Sequence, residues 1–324
     1  MNTLLRAAGL ARRLACVCLV ALFAQGATAQ PAVTRVVLPF GPGSGTDTIA
    51  RALFDTLSQD LNQTFVIEHK PGASGALAAA EVARAAPDGR TLLFTATTTH
   101  SLNPLLFKKL PYDPVKDFRP VSSLTTAYYF LAVRKDLPVN TVPELIAWLK
   151  ANTSSASYGW GAAVAQMAGA DFVKRLGVAV VGVPYKSSPP AMTDLVGGQL
   201  TFMFVDMVAG TPLIQSGRLK ALATTAPQRV ALFPSVPTTA ELGMADLDVF
   251  AWTGLFAPAG TPDEVVKRVA EGVKRAAATP EMQRRLEQCC TPMPIVTGAE
   301  FEAYLARDKA AWARRAAIAG IVPE

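Results

Sequence analysis

The sequence predicts an α/β protein of two lobes, with a discontinuous first lobe and two crossover strands as hinges. Apolar strand segments alternate with helical patterns, which is typical of βαβ units and mostly parallel sheets. After the strand candidate at residues 249–256 only helices follow, so the chain returns to cover an earlier sheet. Long crossings at residues 122–134 and 249–256 would join the lobes. We assign residues 30–126 and 251–324 to the first lobe and residues 127–250 to the second.

The individual elements follow from local patterns. Ile49, Leu53, Leu57 and Leu61 recur every four residues and form the apolar face of a helix. Pro143 stands just inside the start of another helix. The strand candidates are residues 35–40, 65–68, 91–96, 129–134, 180–183, 200–205 and 219–224. The other helix candidates are residues 77–86, 163–176, 189–196, 262–278, 280–288 and 298–318.

A glycine-rich turn joins the first strand to the first helix. Gly41, Gly43 and Gly45 remove side chains from this turn, so backbone N–H groups can approach a ligand closely. The helix that follows directs its positive dipole end and its unpaired N–H groups to the same place. Thr46 is the candidate N-cap of the helix, and Asp47 in its first turn would stabilise the dipole. The pattern predicts a binding site for a carboxylate or a phosphate.

The first 29 residues have the order of a secretory signal peptide. Arg6, Arg12 and Arg13 form a basic region, an apolar stretch follows at residues 14–23, and residues 27–29 read Ala-Thr-Ala. The apolar stretch is too short to span a bilayer. We therefore predict cleavage before Gln30 and a bacterial periplasmic location.

Composition excludes several classes of function. The 31 Lys and Arg residues against 25 Asp and Glu leave a formal charge of +6, which falls to +3 without the three arginines of the signal peptide. This mild charge, with no basic cluster, argues against nucleic-acid binding. Of four cysteines, only Cys289 and Cys290 remain after cleavage, so no disulfide framework is expected. The two histidines do not suggest a metal site, and no cofactor is predicted.

An exported α/β enzyme is the alternative class. Glycines at positions 41, 43 and 45 after a strand, with Glu68 at the end of the second strand, imitate a dinucleotide site. Thr46 stands where the third glycine of that pattern belongs. No Gly-x-Ser-x-Gly elbow and no Gly-Lys-Ser/Thr phosphate loop are present. We therefore predict a protein that is not an enzyme.

Blocks along nearly the whole predicted mature chain resemble one family, the Bug receptors, which are the periplasmic solute receptors of tripartite tricarboxylate transporters. The blocks occur in the family's order. They are Phe40-Gly41-Pro42-Gly43-Ser44-Gly45-Thr46-Asp47 with Ile49-Ala50-Arg51, Lys70-Pro71-Gly72-Ala73-Ser74-Gly75, Ala85-Ala86-Pro87-Asp88-Gly89, Asn103-Pro104, Tyr112-Asp113-Pro114 with Asp117-Phe118, Val183-Pro184-Tyr185-Lys186, Ser235-Val236-Pro237-Thr238, and Leu255-Phe256-Ala257-Pro258-Ala259-Gly260-Thr261-Pro262.

The resemblance implies a periplasmic binding protein of type II, a Venus flytrap that binds its ligand between two hinged lobes. The glycine turn would hold a ligand carboxylate, and the segment 96–100 would lie beside it. The loop 158–166, residues 185–188 and Asp206 would form the second-lobe wall. The candidate ligand-binding residues are Phe40, Gly43, Ser44, Gly45, Thr46, Asp47, Thr97, Thr98, Thr99, Trp160, Gly161, Ala162, Tyr185 and Asp206.

The sequence departs from the family where selectivity would lie. The loop 158–166 is shorter than is common in relatives and carries Trp160, and Ser187 replaces a common glycine. These changes suggest a smaller, flatter or more apolar cleft, so the expected ligand is an organic acid, an amino acid or an amide. The resemblance also implies a membrane permease or a sensor kinase as partner, and we expect a monomer.

Overall fold

The computed structural model describes residues 33–289, 291–292 and 294–323. The predicted signal peptide and Cys290 lie outside these residues. Within them the predicted α/β fold is confirmed, with strands in two sheets and helices packed against them. The strands are β1 (Val33–Leu38), β2 (Thr64–His69), β3 (Thr91–Ala96), β4 (Phe118–Arg134), β5 (Ser157–Trp160), β6 (Val181–Pro184), β7 (Phe202–Asp206), β8 (Leu219–Thr224), β9 (Phe250–Pro258) and β10 (Thr291–Pro292).

Helices connect most of the strands, and the last three described helices follow β9. They are α1 (Gly45–Leu61), α2 (Ala76–Ala83), α3 (Asn103–Leu106), α4 (Val142–Ala151), α5 (Ala163–Leu176), α6 (Ser188–Val196), α7 (Met207–Gln215), α8 (Asp263–Ala277), α9 (Pro280–Cys289) and α10 (Gly298–Ala319). A short 3₁₀ turn, Ala73–Gly75, precedes α2, and a π-helical turn, Thr98–Leu102, precedes α3.

Lobe 1 is the part built on the sheet β2-β1-β3-β9-β4-β10. Strands β1, β2 and β3 are parallel, and β9 lies antiparallel between β3 and the first part of β4. The α1 face predicted from the four-residue repeat packs on this sheet, with Ile49, Leu53 and Leu57 buried beside Phe94. Helix α8 covers the other side of α1.

Lobe 2 is the part built on the sheet β6-β5-β7-β4-β8. Strands β5, β6 and β7 are parallel, whereas β4 runs antiparallel to β7 and β8. Its main core packs Phe172, Phe202 and Phe204 between α5 and the sheet.

Strand β4 belongs to both sheets. Its residues up to Tyr128 pair with β9 of lobe 1, and Tyr129 is already paired with Asp206 of lobe 2. A single extended strand therefore carries the backbone from one lobe into the other, and β9 begins beside the same point. This arrangement places the middle of β4, the end of β7 and the start of β9 at the junction between the lobes.

Helix α10 also reaches both lobes. Phe301 lies in the lobe 1 core with Trp252 and Phe256, whereas Trp312 is buried in the lobe 2 core. Between them Asp308 accepts hydrogen bonds from Ser101 Oγ at 2.6 Å and from Trp252 Nε1 at 2.7 Å. The C-terminal helix, which was predicted to cover the first lobe, thus contributes to both cores.

Four described elements were not predicted from the sequence: β5, α3, α7 and β10. Residues 158–160, predicted as part of a loop, form most of β5, because Tyr158 and Gly159 pair with β6 and β7. Helix α7 was not predicted, since Gly210 and Pro212 lie inside it. Asp206 caps its first turn by accepting a hydrogen bond from the Ala209 N–H at 2.9 Å.

Candidate functional site

The glycine turn leads into α1 as the sequence indicated, with Ser44 rather than Thr46 at the N-cap. Ser44 has an extended backbone, and its Oγ accepts a hydrogen bond from the Asp47 N–H at 3.3 Å. Gly43 has a φ of 79°, a left-handed conformation that glycine adopts without steric cost. The turn therefore depends on a glycine at position 43 for its backbone conformation.

Most N–H groups of the turn are already used within the protein. The Gly43 N–H donates to Asp47 Oδ2 at 2.9 Å, and the Gly41 N–H donates to Ser187 Oγ at 2.9 Å. The Ser44 N–H donates to the Gly41 carbonyl at 3.2 Å. Within the described residues, the N–H groups of Gly45 and Thr46 have no acceptor. We call these two donors the amide pair; they are the first two N–H groups of a 17-residue helix.

The carboxylate of Asp47 holds the turn in place through three contacts. Besides the Gly43 N–H, its carboxylate lies 2.7 Å from His69 Nε2 and 3.1 Å from Arg51 Nε. Burial acts to raise the pKa of Asp47, but the Gly43 N–H, His69 and Arg51 outweigh it and hold the pKa below its ordinary value. Asp47 is therefore a charged anchor of the turn.

Gly45 and Thr46, which carry the amide pair, line a cavity between the two lobes. Its volume is about 40 Å³. The lining residues come from the glycine turn and α1, from the end of β3, the middle of β4 and the start of β9, and from the starts of α5, α6 and α7. They are Phe40, Ser44, Gly45, Thr46, Ile49, Ala96, Thr98, Ala127, Tyr129, Ala162, Ser188, Asp206, Val208, Ala251 and Thr253.

The cavity combines apolar walls with unpartnered polar groups. Thr98 is 1% exposed and Tyr129 is 4% exposed, yet no described residue bonds to either hydroxyl. Both residues line the cavity, and their hydroxyls are not among the enclosed atoms that lack a partner, so they are accessible to a bound molecule from the cavity. Burial and the charge of Asp206 raise the pKa of Tyr129 well above 10, so the phenol stays protonated and can donate.

Asp206 lies opposite the amide pair, across the junction of the lobes. A Cβ atom built on Gly45 would collide with Asp206 Oδ1 and would also press on Val208. Burial raises the pKa of Asp206, although N–H groups at the start of α7 act in the opposite direction. The absence of a side chain at Gly45 is thus what lets the lobe 2 carboxylate approach the start of α1.

The two lobes also touch directly beside the cavity. Ser187 Oγ of lobe 2 accepts the Gly41 N–H bond of lobe 1. Within lobe 2, Gly161 packs so closely on the Ser187 backbone that any Cβ at position 161 would collide with it, which fixes the position of Ser187. The Gly41–Ser187 bond and the approach of Asp206 to Gly45 therefore hold the two lobes in a closed arrangement beside the cavity.

The structure brings together half of the residues predicted from the sequence. Phe40, Ser44, Gly45, Thr46, Thr98, Ala162 and Asp206 line the cavity. Gly43, Asp47, Thr97, Thr99, Trp160, Gly161 and Tyr185 do not line it. Gly43, Asp47 and Gly161 support the lining residues through the contacts described above.

The remaining four side chains are engaged elsewhere. Thr97 Oγ1 accepts the Trp252 N–H at 2.9 Å, and Thr99 Oγ1 lies 2.8 Å from Thr95 Oγ1. The Tyr185 hydroxyl donates to Asp194 Oδ2 at 2.6 Å. Trp160 packs on Tyr158 with ring centroids 5.4 Å apart.

Two further lining residues, Ala96 and Ser188, fall in the segments 96–100 and 185–188 that were expected at the site. Sequence reasoning did not identify the other lining residues. Ala127, Tyr129, Ala251 and Thr253 lie where β4 and β9 cross between the lobes. The predicted crossings at residues 122–134 and 249–256 were the signal that could have found them. The remaining two are Ile49 and Val208.

Two negative findings apply to the described part of the chain. Residues 33–289, 291–292 and 294–323 contain no cluster of three or more His, Cys, Asp or Glu placed to hold a metal ion. In the same residues no helix is both long and apolar enough to cross a bilayer.

Comparison with known proteins agrees with this architecture. The protein BugT of Bordetella pertussis is 31% identical over 283 residues, which is 86% of each chain. The structure of the periplasmic binding protein BugD superposes with a TM-score of 0.87 at 32% identity, covering 90% of this chain and 99% of that one. MatC from Rhodopseudomonas palustris, solved with bound malate, gives a TM-score of 0.80 at 33% identity, covering 90% and 100%.

A family model matches most of the chain. The model, described as the receptor of the tripartite tricarboxylate transporter family, matches residues 49–311. This range includes α1, both crossing strands and most of α10. With the likeness to BugT and BugD, it confirms the two-lobed fold of periplasmic binding proteins. The chain therefore belongs to the solute-binding receptors of the tripartite tricarboxylate transporter family.

Proposed function

We propose that this protein is a periplasmic receptor that binds one small carboxylated or amide-bearing metabolite in the cavity between its lobes. The observation that carries the proposal is the amide pair of Gly45 and Thr46, which faces the cavity and has no acceptor among the described residues. Such N–H groups at the start of a helix bind a carboxylate or carbonyl oxygen well. BugD is a periplasmic protein and MatC holds malate, which supports both the location and the ligand class.

We infer the order of ligand binding and lobe closure from the closed arrangement. The ligand oxygen binds the amide pair of lobe 1, and lobe 2 then closes over it, since only the closed form contacts the ligand from both sides. The lobes would divide at residues 126/127 and 250/251, next to the point where β4 exchanges β9 for β7 and β8 as its partner. The hydroxyls of Thr98 and Tyr129 would complete the ligand contacts.

The location and the partners follow from the family. Residues 1–29 would direct export and be removed, so that the mature protein acts in the periplasm as a monomer. The closed form would then be recognised by a membrane permease or a sensor kinase. We further propose that the protein performs no chemistry on its ligand, since the cavity offers hydrogen-bond donors without an arranged nucleophile and base.

Titration calorimetry of the wild-type protein against organic acids, amino acids and amides tests the proposal. We expect one-to-one binding, with the compound recovered unaltered; turnover would instead indicate an enzyme. Gly45→Ala is the critical variant, because its Cβ would collide with Asp206 in the closed form. We expect at least tenfold weaker binding, which corresponds to about 1.4 kcal/mol.

Gly197→Ala is a matched control. Gly197 has a φ of −76°, and the atom nearest to a Cβ at that position is 3.4 Å away. The control should bind as the wild type does. Unchanged affinity in Gly45→Ala would contradict closure over the amide pair.

A further inference from the structure

Asp206 is the one carboxyl-bearing side chain in the wall of the cavity, and no Lys, Arg or His lines it, as far as the described residues show. Its carboxylate accepts hydrogen bonds from backbone N–H groups at the start of α7, including Ala209 at 2.9 Å. No side-chain donor pairs with it among the described residues. A carboxylate facing a small cavity without a cationic partner calls for a donor from the ligand.

The position of Asp206 disfavours a ligand that presents only a carboxylate to the amide pair. Because its Oδ1 lies against Gly45, an oxygen bound to the amide pair is placed next to a second carboxylate. Two carboxylates at such a distance do not both stay ionised at low cost. A ligand that carries an N–H donor beside its oxygen removes this conflict, since the donor can face Asp206.

The starts of the helices around the cavity place partial positive charge at its wall. Ser44 to Thr46, Ala162 and Ser188 place the starts of α1, α5 and α6 at its wall, and Asp206 caps the start of α7. Helix starts carry partial positive charge and favour an anionic or carbonyl oxygen. The cavity therefore has a positive side at three helix starts and a negative side at Asp206.

We infer that the ligand carries an N–H donor next to its carboxylate or carbonyl oxygen, as α-amino acids and carboxamides do, and that Asp206 accepts that donor. This inference rests on the proposed function and narrows its ligand class. The amide pair binds the oxygen, and Asp206 selects against acids that lack nitrogen. The small volume of the cavity favours compact members of the class.

Pairs of compounds that differ in whether they carry the nitrogen donor test this selection by calorimetry. The pairs are alanine against propionate, aspartate against succinate, and propionamide against propionate. We expect the nitrogen-bearing member of the pair that fits to bind about tenfold or more tightly than its partner, the range of a hydrogen bond to a charged group. Equal or tighter binding of propionate or succinate would overturn the inference and leave the proposed function standing.

Asp206→Asn then assigns the preference to this side chain. Asparagine caps a helix about as well as aspartate, so α7 should be retained, which thermal unfolding of the unliganded variant checks. In this variant we expect the preference for an ammonium compound over its nitrogen-free partner to fall about tenfold. The preference for propionamide over propionate should fall less, because the asparagine oxygen still accepts a hydrogen bond from an amide. The two responses distinguish an amino acid from a carboxamide ligand.

Asp55→Asn is the matched control, since Asp55 is exposed on α1 and does not line the cavity. It should leave every preference unchanged. A preference for nitrogen-bearing compounds that survives in Asp206→Asn would overturn the role of Asp206. Absence of binding by every compound in both proteins would reject the proposed function together with the inference.

Discussion

The hydroxyl of Ser187 accepts a hydrogen bond from the Gly41 N–H at 2.9 Å, and this bond joins the two lobes directly. Ser187 is 4% exposed and belongs to the start of α6, whereas Gly41 belongs to the turn before α1. A hinge motion that separates Gly41 from Ser187 would break the bond. The bond therefore contributes to the closing equilibrium on which ligand affinity depends.

Ser187→Ala should weaken ligand binding although Ser187 does not line the cavity. A net hydrogen bond contributes about 0.5–1.5 kcal/mol, so the dissociation constant should rise about 2- to 10-fold. Calorimetry with the best-binding compound measures this change. Ser216→Ala, at an exposed hydroxyl that bonds only within its own turn, is the control. Equal affinities in wild type and Ser187→Ala would show that the bond does not assist closure.

Asp47→Asn should destabilise lobe 1 in a pH-dependent manner. The variant replaces a charged acceptor of Gly43, His69 and Arg51, and we expect a loss of about 1–3 kcal/mol in the free energy of unfolding at pH 7. The folded pKa of Asp47 is lowered, so its stabilisation is present above the unfolded pKa of about 3.9. This stabilisation is lost as the pH falls through the pKa that Asp47 has in the folded protein.

Urea unfolding between pH 7 and pH 3 tests this dependence, and the difference between Asp47→Asn and the wild type should narrow at the acid end. Asp136→Asn serves as control, since Asp136 is exposed in the turn after β4. A difference that stays constant over the whole range would show that the charge of Asp47 contributes nothing.

Asp308→Ala should destabilise the whole fold, because Asp308 lies where α10 passes between the two cores. The variant leaves the donors Ser101 Oγ and Trp252 Nε1 buried without an acceptor. At about 1–3 kcal/mol for each unsatisfied donor, the free energy of unfolding should fall by about 2–5 kcal/mol. Urea unfolding gives the value, and Glu302→Ala, at an exposed position of the same helix, should change it little. A small effect at Asp308 would mean that water replaces the carboxylate there.

Local sequence patterns were sufficient for the elements with strong signals. The strand candidate at 91–96 and the helix candidate at 163–176 match β3 and α5, because hydrophobic periodicity directly reports a buried face. Strand β5 was missed because four residues with a central glycine carry almost no periodic signal. Helix α7 was missed because Pro212 and Gly210 oppose helix formation locally, while packing on β4 and β8 stabilises it.

Three candidate residues show what sequence patterns cannot predict. Gly43 and Gly45 are both glycines of the same turn. The Gly43 N–H is bound to Asp47, whereas the Gly45 N–H has no acceptor among the described residues and Gly45 lines the cavity. Trp160 lies in the segment expected to cap the ligand, but its pairing in β5 turns it towards Tyr158. Which group faces the ligand depends on register and on φ, and neither is visible in residue types alone.

The α/β class, the glycine turn before α1 and the resemblance to solute receptors could be predicted from the residues alone, because these features depend on short-range patterns and on blocks in order. Three features became visible only in the folded chain: Gly45 and Thr46 carry the free donors, Tyr129 and Thr253 line the cavity, and Asp206 lies opposite the amide pair. These residues are distant in sequence and meet at the junction of two lobes. Contacts of that kind arise from how β4 and β9 cross, which no local pattern of residues records.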